Sequence, residues 1–248
     1  MTGWLKRYID DARLYLKEKE SVEAYNIWSN NYDNQVGNLM LDTDEVLFTR
    51  LLSDIDLENK RVFDMGCGTG RHWKKIYEKA PASVTGFDVS QGMLAQLQKK
   101  FPQADTRLIT DNFLTDIPDK SVDCIVSTLT IAHIKNIEET IAEWSRILAS
   151  TGNLIITDFH PDILAIGGKR SFTVDNQKYS VINYVHPLNN FIRLLYQNGL
   201  SVIRKEEICI DQNVRHYYES QNALQTYNRF TGKSFIYGLL LNKQYAAQ

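Results

Sequence analysis

Between residues 61 and 159 short apolar runs alternate with helical stretches, and this rhythm limits the fold more than any other feature of the chain. Arg61 to Met65, Val84 to Asp88, Thr106 to Thr110, Val122 to Ser127 and Asn153 to Phe159 read as strands. Arg71 to Lys79, Gln91 to Lys100 and Ile137 to Leu148 read as helices between them. Strands that alternate with helices of about 10 to 12 residues imply βαβ crossovers. The expected fold is therefore α/β, a doubly wound and mainly parallel sheet covered on both faces.

The flanks read differently. Leu5, Tyr8, Ile9, Ala12 and Leu16 recur at helical spacing, Tyr25, Trp28 and Tyr32 mark a second aromatic-rich segment, and Asp44 to Leu52 reads as a short helix. Residues 1–59 thus form an N-terminal helical cap, and residues 60–159 the core. In residues 160–186 the rhythm breaks at Gly167-Gly168, and the alternation from Phe172 to Tyr179 predicts a hairpin, an insertion beside the carboxyl edge of the sheet. In residues 187–248, a helix over His186 to Asn198 ends at Gly199, and Ser201 to Cys209 and Ser234 to Leu241 are expected to close the sheet as an antiparallel pair with a short connection.

All 248 residues fit one domain, since the five prolines are scattered and no repeat or low-complexity linker divides them. A formal net charge of −2 without a long basic block gives no general attraction for a polyanion, which disfavours nucleic acid as a bulk partner. Cys67, Cys124 and Cys209 form neither a metal-type pair nor an even disulfide set. No run reaches the roughly 18 to 20 apolar residues of a membrane span, and Lys6, Arg7, Asp10, Asp11 and Arg13 interrupt any signal-peptide core. A cytoplasmic protein is expected; the sequence leaves its oligomeric state open.

Open α/β sheets bind ligands beyond the carboxyl ends of their strands. Gly66, Gly68 and Gly70 follow the first core strand and let backbone N–H groups approach a ligand. Arg71 stands where a dinucleotide fingerprint needs its third glycine, so a nicotinamide cofactor is disfavoured. Asp88, about 20 residues beyond the loop, is placed to accept hydrogen bonds from a ribose. Asp111 and Asn112 are placed to meet an exocyclic amine and a ring nitrogen, with Phe113 and Met93 as apolar faces for a base. The implied ligand is a nucleoside.

At this point the chain resembles the class I S-adenosylmethionine-dependent methyltransferases, above all the small-molecule group that includes the ubiquinone and menaquinone methylases. The resemblance rests on "VFDMGCGTGRH", "VTGFDVSQGML", "LITDNFLTDIPDKSVDCIVS" and "RILASTGNLIITDF", and it runs from about Tyr25 to Phe159. It implies a Rossmann-like seven-stranded sheet with a reversed C-terminal hairpin and S-adenosyl-L-methionine as cofactor. Asp64, Gly66, Cys67, Gly68 and Gly70 would surround the methionine portion, Asp88 with neighbouring Val89 the ribose, Asp111, Asn112, Phe113 and Met93 the adenine, and Thr128 the sulfonium. Tyr25 and Tyr32 would belong to an N-terminal lid. The Asn/Asp-Pro-Pro-aromatic motif usual in amino-methylating nucleic-acid enzymes is absent from the place held by "STLTIAH", so duplex DNA is an improbable substrate.

Methyl transfer from a sulfonium asks for positioning, exclusion of water and, where the acceptor is protonated, a base. His133, His160 and His186 all fall near the expected carboxyl edge and are the candidate bases or substrate contacts, with Asp158 and Tyr184 as second choices. Neither their spacing nor a carboxylate pattern supports a metal site. Lys169 and Arg170 read as a solvated loop rather than as a contact for an anionic substrate. The aromatics of cap and insertion favour a planar or partly apolar small-molecule acceptor. The competing expectation is a non-catalytic module that keeps the nucleoside crevice for cofactor or protein binding.

Overall fold

The computed structural model describes residues 16–35, 37–111 and 114–244. β1 (Leu16–Lys19) leads into α1 (Ser21–Trp28), a 3-10 turn over Ser29–Asn34, and α2 (Leu39–Ser53). The core then runs β2 (Arg61–Met65), α3 (Trp73–Tyr77), β3 (Ser83–Asp88), α4 (Gln91–Lys100), β4 (Asp105–Leu108), β5 (Val122–Thr128), α5 (Ile137–Ile147) and β6 (Leu148–Phe159). After it come α6 (Pro161–Ala165), β7 (Ser171–Val174), β8 (Gln177–Val181) and α7 (Leu188–Gln197). The chain closes with β9 (Leu200–Cys209), α8 (Arg215–Ser220), α9 (Leu224–Phe230) and β10 (Ser234–Lys243).

Seven strands form one sheet in the order β4-β3-β2-β5-β6-β10-β9. All neighbours are parallel except β10, which runs antiparallel to both β6 and β9. Because successive side chains of a strand face opposite ways, Leu154 and Ile156 of β6 enter the core on one side with Trp144 and Phe191. Ile155 enters the other, against Phe48, Leu51 and Trp73. Both faces are thus apolar, as a sheet covered by crossover helices requires. In α5 the buried Ile137, Thr140, Ile141, Trp144 and Ile147 follow helical spacing, with Glu138 and Glu139 in the first turn and Arg146 in the last, which suits the helix dipole.

The local departures from expectation have local causes. The helix expected from Arg71 to Lys79 contracts to α3, because Gly70 at φ +71° holds the chain in a turn and Ala80 at φ +51° ends it. The helix expected from Asp44 begins already at Leu39, since the Asn38 side chain accepts from the N–H groups of Met40 and Leu41. Of the expected helix from Leu5 to Leu16, residues 5–15 lie outside the described residues, and Leu16 opens a strand. That strand pairs in parallel with β8, making the predicted insertion hairpin part of a second sheet, β1-β8-β7. The final antiparallel pair is present, but its connection is long: residues 210–233 carry α8 and α9, which pack Tyr227 and Phe230 with the cap and the insertion.

One buried carboxylate joins cap, core and glycine loop. Asp44 of α2 has no exposed surface, and it accepts from Arg71, from Thr157 of β6 and from Nε2 of His72 at 2.8 Å. Burial alone would push this carboxyl up, but Arg71 and His72 hold it below its ordinary value of 3.8. A carboxyl depressed in the folded state stabilises above its unfolded pKa and ceases to do so as pH falls through the folded one. Asp44→Ala should therefore cost about 3 kcal/mol in urea unfolding near pH 7, because it leaves Arg71 with the more exposed Glu45 in place of a buried carboxylate. The difference from wild type should shrink once the pH drops below 3.8.

Candidate active site

The carboxyl ends of β2, β3 and β5 open onto one cavity of about 240 Å³. Gly66 and Gly68 follow β2, Asp88 and Val89 stand at the end of β3, Asp111 lies beyond β4 and Thr128 ends β5. Met93 of α4 and Tyr25 and Tyr32 of the cap complete the wall. Gly66 sits at φ +74°, and a Cβ there would meet Thr130 Oγ1 at 2.2 Å, so only glycine lets the loop run this close to the residues after β5. The Asp88 carboxylate accepts from the backbone N–H of Gly68 and of Ser90, each at 2.8 Å, which ties the glycine loop to the tip of β3. Burial raises its pKa to about 6 against the pull of those same donors.

Three residues expected beside the methionine portion stand behind this wall instead. Asp64 is buried with its carboxylate accepting from Trp73 Nε1 at 2.8 Å, and burial raises it to about 6. The Cys67 thiol packs where a Cβ on Gly86 would meet it at 2.7 Å, and burial pushes its pKa well up. A Cβ on Gly70 would meet Leu97 at 2.9 Å, so this glycine serves helix packing. Side chains alternate along β2, so Asp64 faces Trp73 of α3, and Cys67, in the loop after the strand, packs in the same layer. Asn112 and Phe113 lie outside the described residues.

His133 is the one candidate histidine at the cavity. Its Nδ1 lies 3.3 Å from the Ile182 carbonyl, which only accepts, so Nδ1 carries the proton and Nε2 accepts from the Tyr25 hydroxyl at 2.8 Å. Burial and then the charge of Arg170 lower the imidazole to about 3, while burial pushes the Tyr25 phenol up. At neutral pH both are uncharged.

The other two histidines point elsewhere. His160 Nδ1 accepts from the Asp162 N–H and caps α6, and its Nε2 lies 3.8 Å from Glu207. His186 Nε2 donates to the Ile134 carbonyl at 2.8 Å. Each turn aims its histidine at a different neighbour. Asp158 is held by the N–H groups of Ala132 and Phe159, and burial raises it to about 6.

Arg170 reverses the reading of a solvated loop. It is 8% exposed, donates to the Leu129 carbonyl at 3.2 Å and to the Tyr32 hydroxyl at 2.9 Å, and lies 5.5 Å from the Tyr25 ring centre. The signal was present: Arg170 and Phe172 share the inward face of an alternating strand, with Ser171 and Thr173 outward.

The methyltransferase-domain family profile matches residues 63–156, from β2 to β6. Residues 63–156 therefore carry the sequence signature of a methyltransferase domain. An uncharacterised methyltransferase of Emericella nidulans is 26% identical over 221 residues, 74% of this chain and 77% of that protein. An uncharacterised protein of Haemophilus influenzae is 32% identical over 113 residues, and the match spans 43% of this chain and 44% of the relative. The fold is shared with an S-adenosylmethionine-dependent methyltransferase of Mesorhizobium loti, at TM-score 0.59 and 16% identity over 79% of this chain and 97% of that one. Tyr25→Phe removes the donor that reaches His133 Nε2. The variant should lose about 1 to 2 kcal/mol in denaturant unfolding. Proton NMR of the wild type should show a His133 resonance that does not titrate between pH 5 and pH 8, given a pKa near 3.

Proposed function

We propose that the protein transfers the methyl group of S-adenosylmethionine to a small-molecule acceptor, with the cofactor in the 240 Å³ cavity. The observation that carries this reading is the convergence of the glycine loop, Asp88, Asp111 and Thr128 on that single space. The residues present suit the cofactor. A buried carboxylate at the tip of β3 matches a pair of ribose hydroxyls, and the side-chain-free Gly66 leaves room beside Thr130. Asp88 would hold the ribose, Asp111, Val89 and Met93 would frame the adenine side, and Gly66, Gly68 and Thr128 would border the methionine and sulfonium. Cap, core and insertion act together as one domain in this reading.

When bound, the cofactor supplies a methyl carbon activated by a sulfonium. The chain's part is to orient the acceptor in line and keep water out. His133 fixes the direction of the Tyr25 hydroxyl by accepting its proton in a hydrogen bond, and at a pKa near 3 it acts as a positioning residue rather than as a base. Tyr25, Trp28 and Tyr32 cover this end of the sheet with stacked and edge-on rings.

Calorimetric titration with S-adenosylhomocysteine tests the reading directly, and a folded sample that ignores both it and S-adenosylmethionine would end it. Asp88→Ala should weaken that binding by about 1.5 to 3 kcal/mol. Ribose hydroxyls favour the charged form of a carboxyl whose pKa is about 6 when the site is free, so affinity should be full above that pH and fall as the pH drops through it. Binding near pH 6 should release protons, measured as a dependence of the apparent heat on buffer ionisation enthalpy.

A further inference from the structure

A second cavity of about 650 Å³ lies between the cap, the insertion and the α8–α9 connection. It shares a wall with the first. Trp28 and Arg170 line the larger space, while Tyr25, Tyr32 and Leu129, which they touch, line the smaller. The larger cavity is cationic and apolar: Arg170, Lys169, Lys178 and Arg229 line it together with aromatic and aliphatic side chains, and no Asp or Glu is among the described residues that line it.

Two buried groups in the shared wall lack partners of the kind burial demands. Arg170 spends two of its N–H groups on neutral oxygens, of Leu129 and Tyr32. Asp158 and Asp44 act on it only through space, and no described carboxylate forms an ion pair with it. A buried guanidinium is ordinarily paired with an anion. Trp28 is 1% exposed, and its indole Nε1 has no acceptor among the described residues. A buried indole N–H ordinarily finds one. Both residues line the same cavity, where a guanidinium stands without an anion and an indole N–H without an acceptor among the described residues.

We propose that the larger cavity binds an organic oxyanion, a carboxylate or phosphate head on an apolar body, whose head pairs with Arg170 and the Trp28 indole N–H, across the wall from the space read above as the cofactor's. The head then sits against the wall shared with Tyr25, and the apolar body lies along Met40, Phe159, Phe230 and Phe235. Lys178 and Arg229 steer the anion inward, and Lys169, already paired with Glu18, contributes least.

The test is a calorimetric titration of the full chain, saturated with S-adenosylhomocysteine, with octanoate, octyl phosphate and 1-octanol. At least one anion should bind about tenfold or more tightly than octanol, as charge-assisted hydrogen bonds predict, and the tighter head identifies the source. Arg170→Met should abolish that preference. Trp28→Phe, which keeps the ring and loses the N–H, should weaken the anion several-fold and leave octanol unchanged. The surface variant Lys178→Gln, which spares the shared wall, should reduce anion affinity in a salt-dependent way even if Arg170→Met fails to fold. Octanol binding as tightly as both anions, or variants that all keep the preference, would overturn the proposal while cofactor binding stands. Anion preference in a protein that binds no S-adenosylhomocysteine would support the anion site and overturn the methyltransferase reading alone.

Discussion

The site depends on a carboxylate that never meets solvent. Asp44 belongs to a cap helix, yet its partners are Thr157 in the middle of β6 and Arg71 and His72 just beyond the glycine loop. One ionised group therefore fixes the distance between cap, sheet and loop, which are separate in sequence. Buried ion pairs seldom add much net stability, but they define register, since a displaced charge has no substitute partner. Here the register in question is that of the glycine loop, whose Gly68 N–H must reach Asp88 for the cavity to keep its shape. Arg71, the residue that rules out a dinucleotide fingerprint, is the one that Asp44 holds.

Around the cavity, burial decides which groups carry charge. Asp64, Asp88 and Asp158 are all raised to about 6 by desolvation, and His133 is lowered to about 3 by the same cause with help from Arg170. A neutral imidazole and a neutral phenol then face a region where the methyltransferase reading places a sulfonium. Asp88, Asp111 and Lys135 line that space, while Arg170 stands on the side of the larger cavity. A wall of Trp28, Tyr32 and Arg170 separates the two.

Much of this was legible before any coordinates. The strand at Arg61–Met65 and the helix at Gln91–Lys100 stand where their patterns place them, because a run bounded by glycines or a Ser90 cap has local causes. Asp88 and the glycines were legible for the same reason. Arg170 was misjudged because a loop composition of Gly-Gly-Lys-Arg suggests solvent, whereas the alternation that buries it begins one residue later. Likewise the connection between the last strands was expected to be short, yet it carries two helices whose burial depends on the cap. The role of Asp44 left no local trace at all.

What the sequence determined by itself is the order of the core strands and helices, the doubly wound sheet and the position of Asp88 and the glycines at strand ends, since periodicity, glycine turns and helix caps act over a few neighbouring residues. Only the tertiary structure decided that His133 alone among three histidines meets the cavity, that Arg170 is buried beside it, and that a second cavity adjoins the first. Those outcomes turn on desolvation and on partners far apart in the chain, and neither quantity exists until the chain has packed.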